Sequence, residues 1–169
     1  SATAPESELL VLREAARLVK LTSDPKPAIE GILGLLSQLL GLNRGRVLIF
    51  DSTTDVLETL YAYGLTNDER ARGRYEIGEG IICKVFQSSQ MALIQNIDEE
   101  STFLAKAVSR ETLPDETVSF IAVPIIIDGA AVGVLAVNRL RYRDRPFQRD
   151  ISLLQIVTIC IAQMLRIEN

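Results

Sequence analysis

Histidine is absent from all 169 residues. With it go the Ser-His and Cys-His nucleophile pairs and any His-ligated haem or zinc, so the common routes to catalysis are closed and no enzyme is expected. Cysteine is nearly as scarce. Cys83 and Cys160 stand far apart, which makes no disulfide framework and fits two free thiols in a reducing compartment. A basic excess is missing too: 18 Lys plus Arg face 22 Asp plus Glu, for a net charge of -4 and a pI near 5.0. Direct contact with nucleic acid by this chain is therefore not expected. Apolar runs are broken by Gly, Pro or charge before the about 18 residues a bilayer span needs, and no secretory signal precedes them. No membrane contact is expected, and the expected setting is cytoplasmic. No P-loop, internal repeat or low-complexity tract is present. Ser1-Ala2 reads as the remnant of an expression tag, and the stop at Arg166-Ile167-Glu168-Asn169 falls inside a helical pattern, so a piece of a longer protein is expected.

What is present is apolar patterning. A hydrophobic content of 47% suffices for the core of one domain spanning 1–169. Leu9, Leu12, Ala16 and Val19 recur at helical spacing within 6–21. Thr22-Ser23-Asp24-Pro25 then supplies a cap and a first-turn proline for a second helix, which ends at Gly41. Residues 46–50 and 56–63 read as two strands of a hairpin, 66–73 as a loop, 74–77 as an extended piece, 81–86 as a short helix and 91–95 as a strand. Residues 98–116 are polar and acidic around Phe103-Leu104, consistent with a small helix and a long loop lying over something. The strongest signal is the pair of apolar runs 118–127 and 130–140 joined by Asp128-Gly129, a tight hairpin of central strands. Pro124 predicts a bulge or an unpaired position in the first of them. A long helix over 147–167 closes the chain. Helices (about 6–41), antiparallel strands (about 45–140) and a final helix make an α+β domain.

Three stretches carry a family resemblance: Arg74-Tyr75-Glu76-Ile77-Gly78-Glu79-Gly80-Ile81, Val118-Ser119-Phe120-Ile121-Ala122-Val123-Pro124-Ile125, and Gly133-Val134-Leu135-Ala136-Val137-Asn138-Arg139-Leu140. They resemble the GAF family and, within it, the amino-terminal domains of NifA-type nitrogen-fixation activators. The resemblance implies an antiparallel sheet of five or six strands, terminal helices on one face, and a ligand pocket under short helices and loops on the other. It also implies a sensor of small molecules followed by a AAA+ ATPase that works with the sigma-N form of RNA polymerase, and it makes 2-oxoglutarate a first ligand to try.

Candidate ligand-binding residues follow. Gly78-Glu79-Gly80 opens a helix, so the amides of Gly80 and Ile81 could receive an anion, with Arg74 and Lys84 to neutralise it. A tight turn flanked by solvated charges would look the same. Phe103, Leu104, Phe120, Ala122, Val134 and Ala136 could line an apolar cavity, or could be ordinary core. Tyr75 could offer its hydroxyl to a ligand or simply sit at a sheet edge. Cys83 near a helix amino terminus is either activated or an inert small hydrophobe. Glu76, Glu79, Asp98, Glu99 and Glu100 match no tight metal spacing, so no metal and no cofactor is expected. A binding-free alternative is a protein-interaction or dimerisation module. A homodimer through the terminal helices is expected, because 147–167 carries two apolar stripes: Phe147, Ile151, Leu154, Ile161, Leu165, and Leu153, Ile156, Val157, Cys160, Met164, Ile167.

Overall fold

Local chemistry sets where some of the helices start and stop in the computed structural model, which describes residues 4–21, 23–100, 103 and 106–168. The second helix, α2 (Pro25–Leu40), is capped by Asp24, whose side chain accepts from the Lys26 amide at 3.2 Å, and Gly41 closes it by donating to the carbonyls of Leu36 and Ser37. Asp24 is thus the cap within the expected 22–25 segment, of which Thr22 lies outside the described residues. Helix α1 (Ala4–Leu21) buries Val11 and Ala15, with Leu12, Leu18 and Val19 packed beside them. Its inner line is thus rotated from the stripe that spacing picked out: Leu9 and Ala16 face outward, because α1 lies against both α2 and α5 (Phe147–Glu168) rather than on the sheet.

Six strands form one antiparallel sheet in the order β3-β2-β1-β6-β5-β4. They are β1 (Asn43–Asp51), β2 (Val56–Ala62), β3 (Arg74–Glu76), β4 (Ala92–Ile94), β5 (Val118–Ile127) and β6 (Ala130–Leu140). The β5–β6 turn places Asp128 at φ 52° and Gly129 at φ 82°, the two positive values a two-residue hairpin needs to match the strands' right-handed twist. Pro124 sits beyond the end of β4, whose register stops at Ala92 opposite Ala122, and a register shift follows between Ile125 and Ile126. Its missing donor therefore costs no ladder bond to β4.

One expected loop is not a loop. Residues 67–72 form α3 (Asn67–Arg72), because Thr66 Oγ1 accepts from the Glu69 amide at 3.1 Å while Glu69 accepts from the Thr66 amide at 2.8 Å. This reciprocal box satisfies two helix-end donors. Among the described residues of the 98–116 region the helical pieces are single 3-10 turns, Ile97–Glu99 and Arg110–Thr112. Arg110 gathers that region, donating to Asp98 at 2.8 Å and to the carbonyls of Pro114 and Glu116 at 2.6 and 3.0 Å.

Side-chain alternation divides the sheet. Val47, Ile121, Val123, Ile125, Leu135 and Val137 pack under α2 and α5, whereas Leu48, Val118, Phe120, Ala122, Val134 and Ala136 pack under α4 (Gly80–Ser88) and the 97–113 loop. The terminal helices thus occupy one face and the short helix and loop the other. Leu153, Val157 and Met164, from the second stripe of α5, are buried within the chain, where α1 runs along α5. Within the chain that stripe is covered at these three positions, while Cys160 is partly exposed and Ile156 exposed; the Ile167 side chain lies outside the described residues. Among the described residues no helix is long and apolar enough to cross a membrane.

Candidate functional site

On the loop side the sheet is apolar until its end, where two polar residues sit at positions whose alternation points them inward. Arg46 shares the face of Leu48 on β1, and Asn138 shares that of Val134 and Ala136 on β6. Asn138 is opposite Asn43, so Arg46 and Asn138 meet diagonally, and Arg46 Nη1 donates to Asn138 Oδ1 at 3.0 Å and to the Arg44 carbonyl at 2.9 Å. The guanidinium lies over the Phe120 ring, 5.4 Å from its centroid. It is 5% exposed, yet among the described residues no carboxylate comes within 4.0 Å of it. Burial lowers the Arg46 pKa, with Tyr75 opposing that shift and Arg44 reinforcing it. An arginine still holds its proton under such a shift, so a cation is buried here without a counter-ion among the described residues.

Arg46 and Asn138 form one wall of a crevice completed by Tyr75, Phe103, Lys106, Ala107, Val108 and Leu113. Phe103 stands edge-on to Phe120 with centroids 5.1 Å apart. Lys106 spans the mouth: it donates to the Arg74 carbonyl at 3.0 Å, lies 5.2 Å from the Tyr75 ring centroid and forms an ion pair with Glu79, whose buried Oε2 has no other partner among the described residues. Burial, foremost, raises the Tyr75 pKa, and Arg46 pulls it back. The enclosed volume is about 10 Å³, room for no more than one water.

The family model for the GAF domain matches residues 24–165. The chain belongs to the GAF domain family. Over 164 residues it is 30% identical to a Nif-specific regulatory protein of Azospirillum lipoferum, a match that covers 96% of this chain and 26% of that protein. It is 28% identical to the nitrogen fixation protein AnfA of Azotobacter vinelandii, over 94% of this chain and 30% of that one. The chain thus spans about a quarter to a third of the curated relatives it matches. Among solved structures, the A. aeolicus nlh2 GAF domain in an inactive state superposes with a TM-score of 0.87 at 19% identity, covering 99% of this chain and 100% of that one. A free methionine-R-sulfoxide reductase from Neisseria meningitidis, in complex with its substrate, superposes at 0.78 and 18% identity, covering 99% and 94%. Regulators and a reductase thus share this fold.

Within this GAF domain the ligand-binding residues picked out by sequence fall into four groups, apart from Leu104. Tyr75 and Phe103 line the crevice. Phe120, Ala122, Val134 and Ala136 are fully buried beneath α4 and the loop on the same face, with Phe120 touching both Phe103 and Arg46. Arg74 and Lys84 are exposed, Arg74 pairing with Glu58 at 3.1 Å, and neither lines the crevice. Gly80 and Ile81 are half-buried at the start of α4, where Gly78 and Gly80 take φ of 97° and 66°. Cys83 fills the space inside that turn: its Sγ contacts the Glu76 carbonyl at 3.1 Å, and burial pushes its thiol pKa up although the amides of Glu79 and Gly78 work against this. Leu104 lies outside the described residues. Among the described residues the acidic groups near Cys83 do not assemble into a three-ligand cluster. Arg46, Asn138 and Lys106 were missed. The signal available for the first two was a polar side chain in the buried parity of an apolar strand.

Proposed function

We propose that this GAF domain is the signal-sensing part of a NifA-type bacterial transcriptional activator. It binds a small anionic metabolite, with 2-oxoglutarate the first candidate, and controls an attached AAA+ ATPase in the cytoplasm without catalysis of its own. The observation that carries the ligand half is the crevice at the sheet end, where Arg46 is buried with no carboxylate partner among the described residues. Removing a cation from water costs several kcal/mol unless an anion compensates, so such a group favours an anionic guest. Support for the regulatory half is the similarity to Nif-specific regulators over nearly the whole chain. Two cysteines packed on opposite faces of the sheet, Cys83 on α4 and Cys160 on α5, argue against thiol redox catalysis between them. A thermal-shift series with central anionic metabolites tests the reading: a ligand that binds the native state raises Tm with its concentration, and no rise across the series overturns it.

A second reading, a dimerisation module, is favoured by a groove of about 380 Å³ between α1 and α5, where Leu9 is 67% and Ile156 46% exposed. The Glu8–Arg149 pair lies along it, with nitrogen–oxygen distances of 2.6 and 3.1 Å. Light scattering at micromolar concentration decides this reading, with a concentration-independent monomer as the result against it.

A further inference from the structure

We propose that the crevice is a carboxylate site in which the Arg46 guanidinium and the Asn138 amide nitrogen are the two head-group donors, an assignment that rests on the sensing role above. Asn138 is 3% exposed and its Nδ2 has no hydrogen-bond partner among the described residues. The orientation of that amide is not arbitrary, because its Oδ1 takes the Arg46 Nη1 proton at 3.0 Å. Turning the amide over would set two donors against each other. The orphan is therefore a donor, and it sits beside a cation whose two hydrogen bonds among the described residues both leave from Nη1. A buried donor left unpaired loses its full desolvation free energy, and here two such deficits are adjacent.

The chemistry of the guest follows from charge and shape. Of the two cations that line the crevice, Lys106 is already paired with Glu79, which leaves one uncompensated positive charge, that of Arg46. One carboxylate balances it. A phosphate dianion would carry a second charge, and its remaining oxygens would lie against Phe103, Ala107, Val108 and Leu113, which offer no side-chain donors. Those apolar walls suit a short carbon chain instead. Because the enclosed volume is about 10 Å³, the guest enters only as the Lys106 to Leu113 wall moves outward. Occupancy then becomes a displacement of the loop that covers the sheet, which is what a sensor has to produce.

Isothermal titration of the protein with glutarate, succinate, 2-oxoglutarate and inorganic phosphate tests the assignment, alongside the variants R46M, R46K and N138D. Asn138→Asp is the sharpest of these, since it places a carboxylate where Asn138 Oδ1 already meets Arg46 and so supplies the counter-ion from within. At least one of the carboxylates is expected to bind the unsubstituted protein, and phosphate is not. R46M and N138D should weaken binding by roughly 10- to 100-fold, the loss of a charged hydrogen bond, with R46K in between. N138D should also melt about 2–4 °C higher without ligand, as a buried cation gains a partner. If R46M does not fold, N138D decides alone. Carboxylate binding that survives undiminished in N138D overturns this assignment and leaves the sensing role standing. Phosphate binding in place of carboxylate overturns the carboxylate chemistry alone, and no binding of any probe overturns both.

Discussion

Two arginines are buried in this sheet, and they differ in everything except burial. Arg139, on β6, points under the terminal helices with its donors taken up: Asp150 at 2.6 Å, the carbonyls of Leu140, Arg141 and Arg145 at 3.1 to 3.2 Å, and the Phe147 ring 4.1 Å from the guanidinium. Asp150, at the start of α5, is held by Arg145 as well, at 2.9 Å, and Arg145 in turn reaches the Leu40 carbonyl at the end of α2. Arg46, on the opposite face, has one amide oxygen, one carbonyl and a ring. A buried cation with a complete partner set ties elements together; one with an incomplete set stores an unmet interaction that a ligand can satisfy. The neighbours Asn138 and Arg139 belong one to each system, so a single strand carries the candidate ligand contact on one side and the anchor of α5 on the other.

The comparison breaks most visibly at Asp150. Asp150→Ala leaves Arg139 and Arg145 without their carboxylate inside the core, and a loss of about 3–5 kcal/mol in urea unfolding is expected. A loss below about 1 kcal/mol would mean that the helix-side arginine needs its carboxylate no more than Arg46, which has none among the described residues. Arg46→Met is expected to do the reverse. Removing an unpaired buried cation for an apolar chain of similar length should leave stability within about 1 kcal/mol or raise it, read from the same urea midpoints. A drop matching that of Asp150→Ala would make Arg46 a structural group.

The smallest effect concerns the two thiols, one on each side. Cys83 is fully buried on the crevice side and Cys160 partly exposed on the helix side, and burial raises the pKa of both. Alkylation at neutral pH should therefore be slow at Cys160 and slower still at Cys83, with mass spectrometry reporting the order. Equal rates would mean that the α4 side opens as readily as the surface. The pH dependence has a fixed sign. A thiol or phenol whose folded pKa is raised contributes stability that is full below its unfolded pKa and lost as pH rises through the folded one. Tyr75 and Cys83 should thus make the protein less stable above the ordinary thiol range, and Cys83→Ala should flatten the first part of that decline.

Much of the fold was legible because its signals are local. Asp128-Gly129 between two apolar runs specifies a hairpin through backbone geometry, and Asp24-Pro25 with Gly41 brackets a helix through capping. The α3 box was equally local, since Thr66 and Glu69 have the spacing of a reciprocal cap, and it passed unread as part of a polar loop. The inner face of α1 was not local: Leu9 and Val11 are equally apolar, and only the positions of α2 and α5 choose Val11.

The site divides along the same line. Sequence by itself determined the class of domain, the face on which Phe120, Ala122, Val134 and Ala136 lie, and the absence of histidine chemistry, because alternation and composition are properties of the chain alone. Tertiary structure decided which cation matters. Arg74 and Lys84 look as suitable as Arg46 in the sequence, but a charge acquires an unmet demand only when folding strips its water and withholds a partner. For Arg46 that depended on a diagonal contact with Asn138, ninety-two residues away along the chain.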